Sequence, residues 1–347
     1  MAKQHEFQEK VKKIYERFVA KIRIIAIKQY LKKLVPNWCR TVLENTYKVW
    51  KTVLISSFCF LFFYYFLGSQ IAEDIDVQTQ YLLPKQQSAK METANAMSFL
   101  LKREVDDKMW TPNLPPLFPA YALDNMPNFQ IGIVDAARDI NVVLRRMEGI
   151  NAEQYDDLQR AGQLLNYAPN VWLLSKKDAF NIAPSSNTQY RKAAKYLRKF
   201  NERADFSPHA NHLPQFMEQI SRKLTKLVLK SEEHQQEHGG DIIDFHADDI
   251  FYHNCGYAFA LSQIVRAMGT DYKEEILRHN VYTEWTYLLS SLQKAAEFQP
   301  VVVRSGKPKD LLTPNHLTEQ NFYLMRALVA VEKIRTALAQ GAITDAD

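Results

Sequence analysis

Residues 52–72 read TVLISSFCFLFFYYFLGSQIA, and this uncharged stretch decides the architecture of the chain. At about 1.5 Å per residue, a helix of this length spans the hydrocarbon core of a bilayer, which is about 30 Å thick. Aromatic residues crowd its centre and no polar face interrupts it, unlike in a buried helix of a globular domain. The stretch therefore predicts a single transmembrane helix.

A cleaved signal peptide is the competing interpretation of an apolar segment near an N-terminus. Signal peptides begin with a short basic region, whereas residues 1–51 precede this segment. Gly68 and Ser69 are small enough for a peptidase, but no A-x-A cleavage sequence follows them. We therefore expect an uncleaved anchor.

Charge is distributed unevenly on the two sides of this segment. Residues 1–52 contain 13 Lys and Arg against 4 Asp and Glu, whereas residues 73–347 contain 31 against 35. Because basic flanks remain in the cytoplasm, we expect a cytoplasmic arm at 1–51, the span at 52–72 and an exported domain at 73–347. In a bacterium this predicts an inner-membrane protein with a periplasmic domain.

The N-terminal arm has the pattern of a basic amphipathic helix. One stripe is apolar and comprises Phe7, Val11, Ile14, Phe18, Ile22 and Ile25. The candidate membrane-surface residues beside it are Lys10, Lys13, Arg17 and Lys21. Such helices bind anionic lipid at a bilayer surface; packing on a protein partner or on another copy in a homo-oligomer is the alternative. Nucleic acid is not expected as a partner, because no recognition module is present.

The exported region has helical periodicity throughout, which predicts an all-α helical bundle. The predicted helices cover roughly 86–107, 129–148, 152–167, 186–204, 212–237, 245–269, 272–297 and 316–340. In the last of them, Leu324, Leu328 and Val331 share one apolar face. Asn151 is expected at one helix N-terminus and either Thr270 or Asp271 at another, where the side chain caps free backbone amides.

The segment 110–127, WTPNLPPLFPAYALDNMP, holds five of the fourteen prolines and cannot be regular helix or sheet interior. Its apolar content predicts a crossover packed across the helices. The functional alternative is a surface or groove rim offered to a partner. The candidate partner-binding residues are Trp110, Pro115, Pro116, Phe118 and Tyr121.

Histidines and acids cluster between residues 234 and 253. On the predicted helix 245–269, His246, Asp249 and His253 share one side at the border of the apolar face, where nitrogen and oxygen ligands suit zinc or another divalent metal. The alternative is two boundary histidines, one of them hydrogen-bonded to the acid. Asn254 falls inside the apolar face, so we expect it to be hydrogen-bonded to a neighbouring helix or a ligand.

A second histidine pattern, His234-Gln-Gln-Glu237-His238, matches the H-x-x-E-H string of certain zinc proteases. A catalytic zinc needs a dry wall and supporting hydrogen bonds. The surrounding sequence, SEEHQQEHGGD, is polar and leads straight into two glycines. It is more typical of a solvated helix end.

The basic N-terminus, the single span, the stretch WTPNLPPLFPAYALDNMPNFQIG and the helical remainder together resemble a family of proteobacterial envelope proteins known only as a domain of unknown function. The resemblance covers nearly the whole chain. It implies a single-pass inner-membrane location, and it implies no activity and no catalytic residues.

Function is bounded mainly by what the sequence lacks. It contains no GxxxxGK[ST], GxGxxG or GxSxG motif, and three cysteines exclude a disulfide framework. We expect a non-enzymatic envelope protein whose exported domain binds protein or cell-wall partners, without a cofactor. The alternatives are a metal-binding protein or metal-dependent hydrolase using His246, Asp249 and His253, and a domain that binds lipid or a small molecule in a helical groove.

Overall fold

The computed structural model of the protein describes residues 21, 36–72, 75–77, 90–115, 118, 125–172, 183–203, 212–239, 244–298, 300, 303 and 315–344. These residues contain no β-strand, so the predicted all-α fold is confirmed. The helices are α1 (Asn37–Ala72), α2 (Glu92–Lys102), α3 (Asn125–Leu144), α4 (Ala152–Leu165), α5 (Ser186–Glu202), α6 (His212–His238), α7 (Phe245–Asp271), α8 (Lys273–Arg278), α9 (Tyr282–Glu297) and α10 (His316–Thr344). A π-helical turn, Arg103–Asp107, extends α2.

Helix α1 begins directly after Pro36 and contains the whole predicted transmembrane segment. Within the described residues, its part Asn45–Gly68 is the one stretch long and apolar enough to cross a membrane, and none of its most apolar window is buried against protein. The chain divides within this helix into two compact units, Met1–Tyr64 and Tyr65–Asp347.

The ends of the helices follow local sequence signals. Asn151 caps α4 in a reciprocal capping box, in which its side chain accepts from the Gln154 amide and the Gln154 side chain accepts from the Asn151 amide. Gly149, just before it, has a φ of 83°, which costs a residue without a Cβ little. Helix α3 begins two residues before Pro127, because proline is tolerated in a first turn where the amides have no helical partner.

The helix predicted over residues 272–297 is divided into two helices, α8 and α9. The periodicity over 272–297 continues unbroken, but the chain turns at Asn280, whose φ is 53°, so that α8 ends at Arg278 and α9 starts at Tyr282. Asparagine adopts this left-handed conformation more readily than other residues with a Cβ. The apolar periodicity therefore did not indicate the break between the two helices.

The core is one large apolar cluster shared by α2 to α10, with a smaller one around Phe251 and Leu317. Helices α3 and α7 cross at its centre with their backbones in contact. A Cβ on Gly132 would lie 2.2 Å from the His253 carbonyl oxygen, and one on Gly256 would lie 1.9 Å from the Phe129 carbonyl oxygen. Both positions therefore require glycine.

Two polar side chains on α7 hydrogen-bond to neighbouring helices inside this core. Asn254 donates through Nδ2 to Ser231 Oγ on α6 at 3.0 Å, which confirms the expectation for this residue. The next residue, Cys255, is fully buried, and its thiol lies 2.8 Å from the Ala296 carbonyl oxygen on α9. Burial raises the pKa of the Cys255 thiol well above its ordinary value.

Asp271 does not cap the helix that follows it. Its carboxylate instead accepts from the backbone amides of Glu92 and Thr93, each at 2.8 Å, and from the Thr93 hydroxyl at 2.6 Å. The last residue of α7 thus caps the first turn of α2. Burial is the largest influence and raises the pKa of Asp271 to about 6, although the bonds from Thr93 and Glu92 lower it.

Candidate functional site

The three predicted metal-binding residues lie along α7, where His246 and Asp249 contact each other and His253 has a different partner. The His246 side chain is 82% exposed, and its Nδ1 lies 3.6 Å from Asp249 Oδ2. Asp249 accepts a 2.6 Å hydrogen bond from Asn128 on α3. His253 Nε2 lies 3.1 Å from Asp135 Oδ2, also on α3.

This arrangement resembles the alternative interpretation of the pattern more than the metal site. His253 is a boundary histidine hydrogen-bonded to an acid, although that acid is Asp135 rather than Asp249. Across the described residues, no group of three or more His, Cys, Asp or Glu side chains is placed to hold a metal ion. A metal at these positions stays a prediction.

The partners of α7 form a polar row along its contact with α3, which we call the α3–α7 polar row. It consists of three pairs at successive turns of α7: Asn128 with Asp249, Asp135 with His253, and Asp139 with Tyr257. Residues four apart lie on the same helix face. The row therefore runs beside the glycine contact and fixes the register of the two helices.

Cations from two helices balance the acids of this row. Arg138 Nη1 lies 2.7 Å from Asp135 Oδ1, and Lys223 Nζ on α6 lies 2.7 Å from Asp139 Oδ1. Burial raises the pKa of Asp135, but the hydrogen bond from His253 and the charge of Arg138 outweigh it, so its pKa lies below the ordinary value. At Asp139, burial outweighs Lys223 and Tyr257, and its pKa is raised.

The H-x-x-E-H residues also divide between different contacts. His234 is nearly buried, and its Nε2 lies 2.8 Å from Asp244 Oδ2, while the other oxygen of Asp244 caps α7 by accepting from the Ala247 amide. Glu237 and His238 remain largely exposed at the end of α6. His234 thus joins the end of α6 to the start of α7.

The predicted partner-binding residues of the proline-rich segment are placed in part. Trp110 is buried, packs edge-on against the Tyr190 ring at 4.9 Å and donates through Nε1 to the Pro169 carbonyl oxygen at 3.0 Å. Pro115 is half-buried and Phe118 is exposed. Pro116 and Tyr121 lie outside the described residues, so the crossover as a whole stays a prediction.

Of the predicted membrane-surface residues, Lys21 is described, and it is helical and exposed. Lys10, Lys13 and Arg17 lie outside the described residues. The lipid contact of the arm stays a prediction.

A groove of about 680 Å³ opens between α10 and the start of α9, and sequence analysis did not find it. Val281, Leu328 and Ala337 provide its apolar lining, and Glu284, Glu332 and Lys333 provide charges of both signs. Leu328 and Ala337 are partly buried against the main core, so the floor of the groove is continuous with it. The volume lies within the range of ligand pockets, about 300–1,000 Å³.

An exposed apolar face adjoins this groove; we call it the α10 face, and it consists of Phe322, Met325 and Val329, all about half exposed. Val329 also lines the groove, so the two features form one surface. The Arg326 guanidinium lies over the Tyr287 ring, with its centre 4.6 Å from the centroid, and over the Phe322 ring at 5.4 Å. Arg326 therefore packs against both rings at this surface.

The sequence contained signals for both missed features. Asn128, Gly132, Asp135 and Asp139 are spaced by four, three and four residues, so they share one face of α3. In the sequence the two acids are also typical of a solvated charged surface. Helix α10 carries a second apolar stripe besides the predicted one through Leu324 and Val331. A helix apolar on two sides indicates a second contact surface.

Comparison with known proteins identifies one family. Its model, described as an uncharacterized protein conserved in bacteria (DUF2333), matches residues 114–239 and 219–341, which together make up more than half of the chain. No curated protein and no solved structure matches.

Proposed function

The chain belongs to this family of bacterial proteins, and we propose that it is an inner-membrane protein whose exported helical domain binds a protein partner. The observation that carries the proposal is the α10 face, which exposes Phe322, Met325 and Val329 beside an open groove. Apolar side chains grouped in this way on a soluble surface mark interaction sites. The proposed role is that of a binding protein and requires no catalytic step.

The location is supported by charge and by the apolar helix. The basic flank of Asn45–Gly68 favours a cytoplasmic N-terminus, and the acidic balance of residues 73–347 suits export. Because a bacterial chain with one uncleaved span lies in the inner membrane, the domain would face the periplasm. Residues 1–51 would then contact anionic lipid on the cytoplasmic side.

The groove favours an amphipathic helix as the bound element. Its lining on α10 runs from Leu328 to Gln340, about 18 Å at the helical rise, which is the length of three to four turns. The apolar floor suits residues at i, i+3 or i+4 and i+7 of a partner helix. Glu284, Glu332 and Lys333 at the rim would select charges opposite to theirs.

The test is photocrosslinking of the full chain in bacterial cells. A photoreactive residue is placed at Met325 or Val329, and the control is Leu229, an equally exposed apolar residue on α6. We expect a discrete protein adduct from the α10 positions, none from Leu229, and its loss when Phe322→Ser is added. Equal adducts at all three positions, or none, would contradict the proposal.

Other adducts would assign the face differently. An adduct at twice the mass of the chain would indicate a homo-oligomer, and one sensitive to muramidase would indicate a cell-wall partner. A lipid or small molecule recovered from the adduct would support the second candidate, ligand binding in the groove, which the volume of about 680 Å³ favours.

Topology is tested separately. In a background without other cysteines, Leu229→Cys should react with a membrane-impermeant thiol reagent in cells whose outer membrane has been opened. Labelling only after lysis would place the domain in the cytoplasm.

A further inference from the structure

A small basic pocket of about 260 Å³ lies between the end of α2 and the middle of α5. Ser98 and Ala194 join its walls, since Ser98 Oγ donates to the Ala194 carbonyl oxygen at 2.9 Å. Five of the eight lining residues are cationic: Lys102, Arg191, Lys192, Lys195 and Arg198. Asp106 is the acid among them.

The two arginines are held by acids, and the lysines are not. Arg191 Nε donates to Asp106 at 2.7 Å, and Arg198 Nε lies 3.4 Å from Glu202 at the end of α5. For Lys102, Lys192 and Lys195, no ion pair is formed with any residue in the part of the chain that the structure describes. The pocket therefore holds an excess of positive charge with its arginines already oriented.

The five cations are exposed side chains that outnumber the one acid at the cavity, so the local potential is positive and attracts anions. The cavity is smaller than the pockets that take drug-sized ligands, about 300–1,000 Å³, and suits a single compact group. Planar guanidinium groups match phosphate oxygens in pairs, and lysines add point charges that adapt to the remaining oxygens. A phosphate group satisfies both the size and the charge of the pocket.

The covalent chain brings this pocket within reach of a bilayer. Lys102 precedes Arg103, whose Nη2 donates to the Asp76 carbonyl oxygen at 2.6 Å. Asp76 is eight residues beyond Gly68, the end of the apolar span, and eight residues reach at most about 29 Å. Phospholipid headgroups therefore lie among the nearest sources of phosphate.

We infer that Lys102, Arg191, Lys192, Lys195 and Arg198 form a binding site for a phosphate group, carried by a phospholipid headgroup or by a soluble phosphate. Neither source requires the partner-binding role of α10, and the headgroup source rests on the proposed membrane location. The two share the same recognition chemistry and differ in whether a bilayer must be present.

The test is the rate at which an amine reagent labels each lysine of the full chain, read by mass spectrometry. In a phosphate-free neutral detergent, inorganic phosphate should slow labelling of Lys102, Lys192 and Lys195 in a saturable manner, about threefold at twice the dissociation constant, because one third of the sites then stay free. In a second arm, nanodiscs containing phosphatidylglycerol should slow the same lysines relative to nanodiscs of phosphatidylcholine alone.

In the variant Lys192→Gln/Lys195→Gln, Lys102 is the pocket lysine that can still be labelled. Phosphate should no longer slow its labelling. Its matched control is Lys226→Gln/Lys230→Gln, which removes two exposed lysines from α6 at similar helical spacing. Protection only by inorganic phosphate would identify a soluble ligand, and protection only in phosphatidylglycerol nanodiscs would identify a headgroup. Equal protection by chloride at the same ionic strength, equal protection at Lys226 and Lys230, or unchanged protection in the first variant would overturn the inference.

Discussion

Helices α7 and α10 distribute their polar and apolar residues in opposite ways. Helix α7 lies in the centre of the domain, yet its contact with α3 contains two glycines and the polar row that includes His253 and Tyr257. Helix α10 buries one apolar stripe and exposes a second, the α10 face.

The difference separates two uses of side chains. The polar-row residues of α7 have fixed partners on α3, so they specify how these two helices are arranged. The residues that the structure describes leave the α10 face about half exposed, which leaves room for a partner. Substitutions on α7 should therefore change stability, and those on the exposed stripe of α10 should change binding.

The largest effect is expected at the glycine contact. Gly256→Ala would place a methyl group against the Phe129 backbone and should lower the free energy of unfolding by about 3 kcal/mol. Gly162→Ala is the control, because the atom nearest to its added Cβ is the side-chain nitrogen of Asn141 rather than backbone, and its cost should be smaller, about 1 kcal/mol. Denaturant titration of the full chain in detergent, followed by tryptophan fluorescence, measures both. Equal losses would refute a backbone contact between α3 and α7.

The next effect is expected in the α3–α7 polar row. Asp139→Ala leaves the Tyr257 hydroxyl and the partly exposed Lys223 without their acceptor and should cost about 2 kcal/mol. Asp156→Ala removes an exposed ion pair with Arg160 and should cost far less, because water screens such a pair. The same titration measures both variants. A cost at Asp139 no larger than that at Asp156 would show that the row is not structural.

A smaller effect depends on pH at the other end of α7. The pKa of Asp271 is raised from 3.8 to about 6, so the folded state binds more protons than the unfolded state between these values. Stability contributed by protonated Asp271 is present at low pH and is lost as pH rises through 6. From about pH 5 to about pH 7, the wild type should lose about 1 kcal/mol relative to Asp271→Asn. A wild type that keeps or gains stability relative to Asp271→Asn as pH rises from about 5 to about 7 would contradict the raised pKa.

The smallest effect is expected on the α10 face. Val329→Ala should change the free energy of unfolding by less than about 0.5 kcal/mol, because Val329 is 54% exposed. Val331→Ala, two residues away and fully buried, should cost about 2 kcal/mol. The pair compares one substitution on two faces of one helix. A large loss at Val329 would mean that the face packs within the domain.

Local sequence signals predicted most of the fold, because apolar periodicity and caps act over a few residues. They located α10, including Leu324 and Val331 on its buried side, and the cap at Asn151. They missed the turn at Asn280, since a single residue with positive φ leaves the apolar pattern intact. They also assigned Thr270 or Asp271 as the cap of the following helix, whereas the partners of Asp271 are about 180 residues away in sequence.

The candidate sites were harder to predict, because they depend on which helices are neighbours. Asp135 and His253 are 118 residues apart, and nothing local to either residue indicates that they pair. The basic pocket likewise combines Lys102 with Arg191 and Lys195 from a different helix. The sequence indicated which residue types carry charge, and the packing of helices determined which of them meet.

The reactivity of the Cys255 thiol can report how often the helical domain opens. Its thiol lies between α7 and α9 without exposure to solvent, and its raised pKa keeps it protonated and unreactive. A thiol reagent can therefore reach the sulfur only when these helices separate. Labelling of a Cys255→Ser variant is subtracted to remove the signal from other cysteines. The labelling rate of Cys255 that remains measures how often the domain opens in intact membranes, without denaturant or an attached probe.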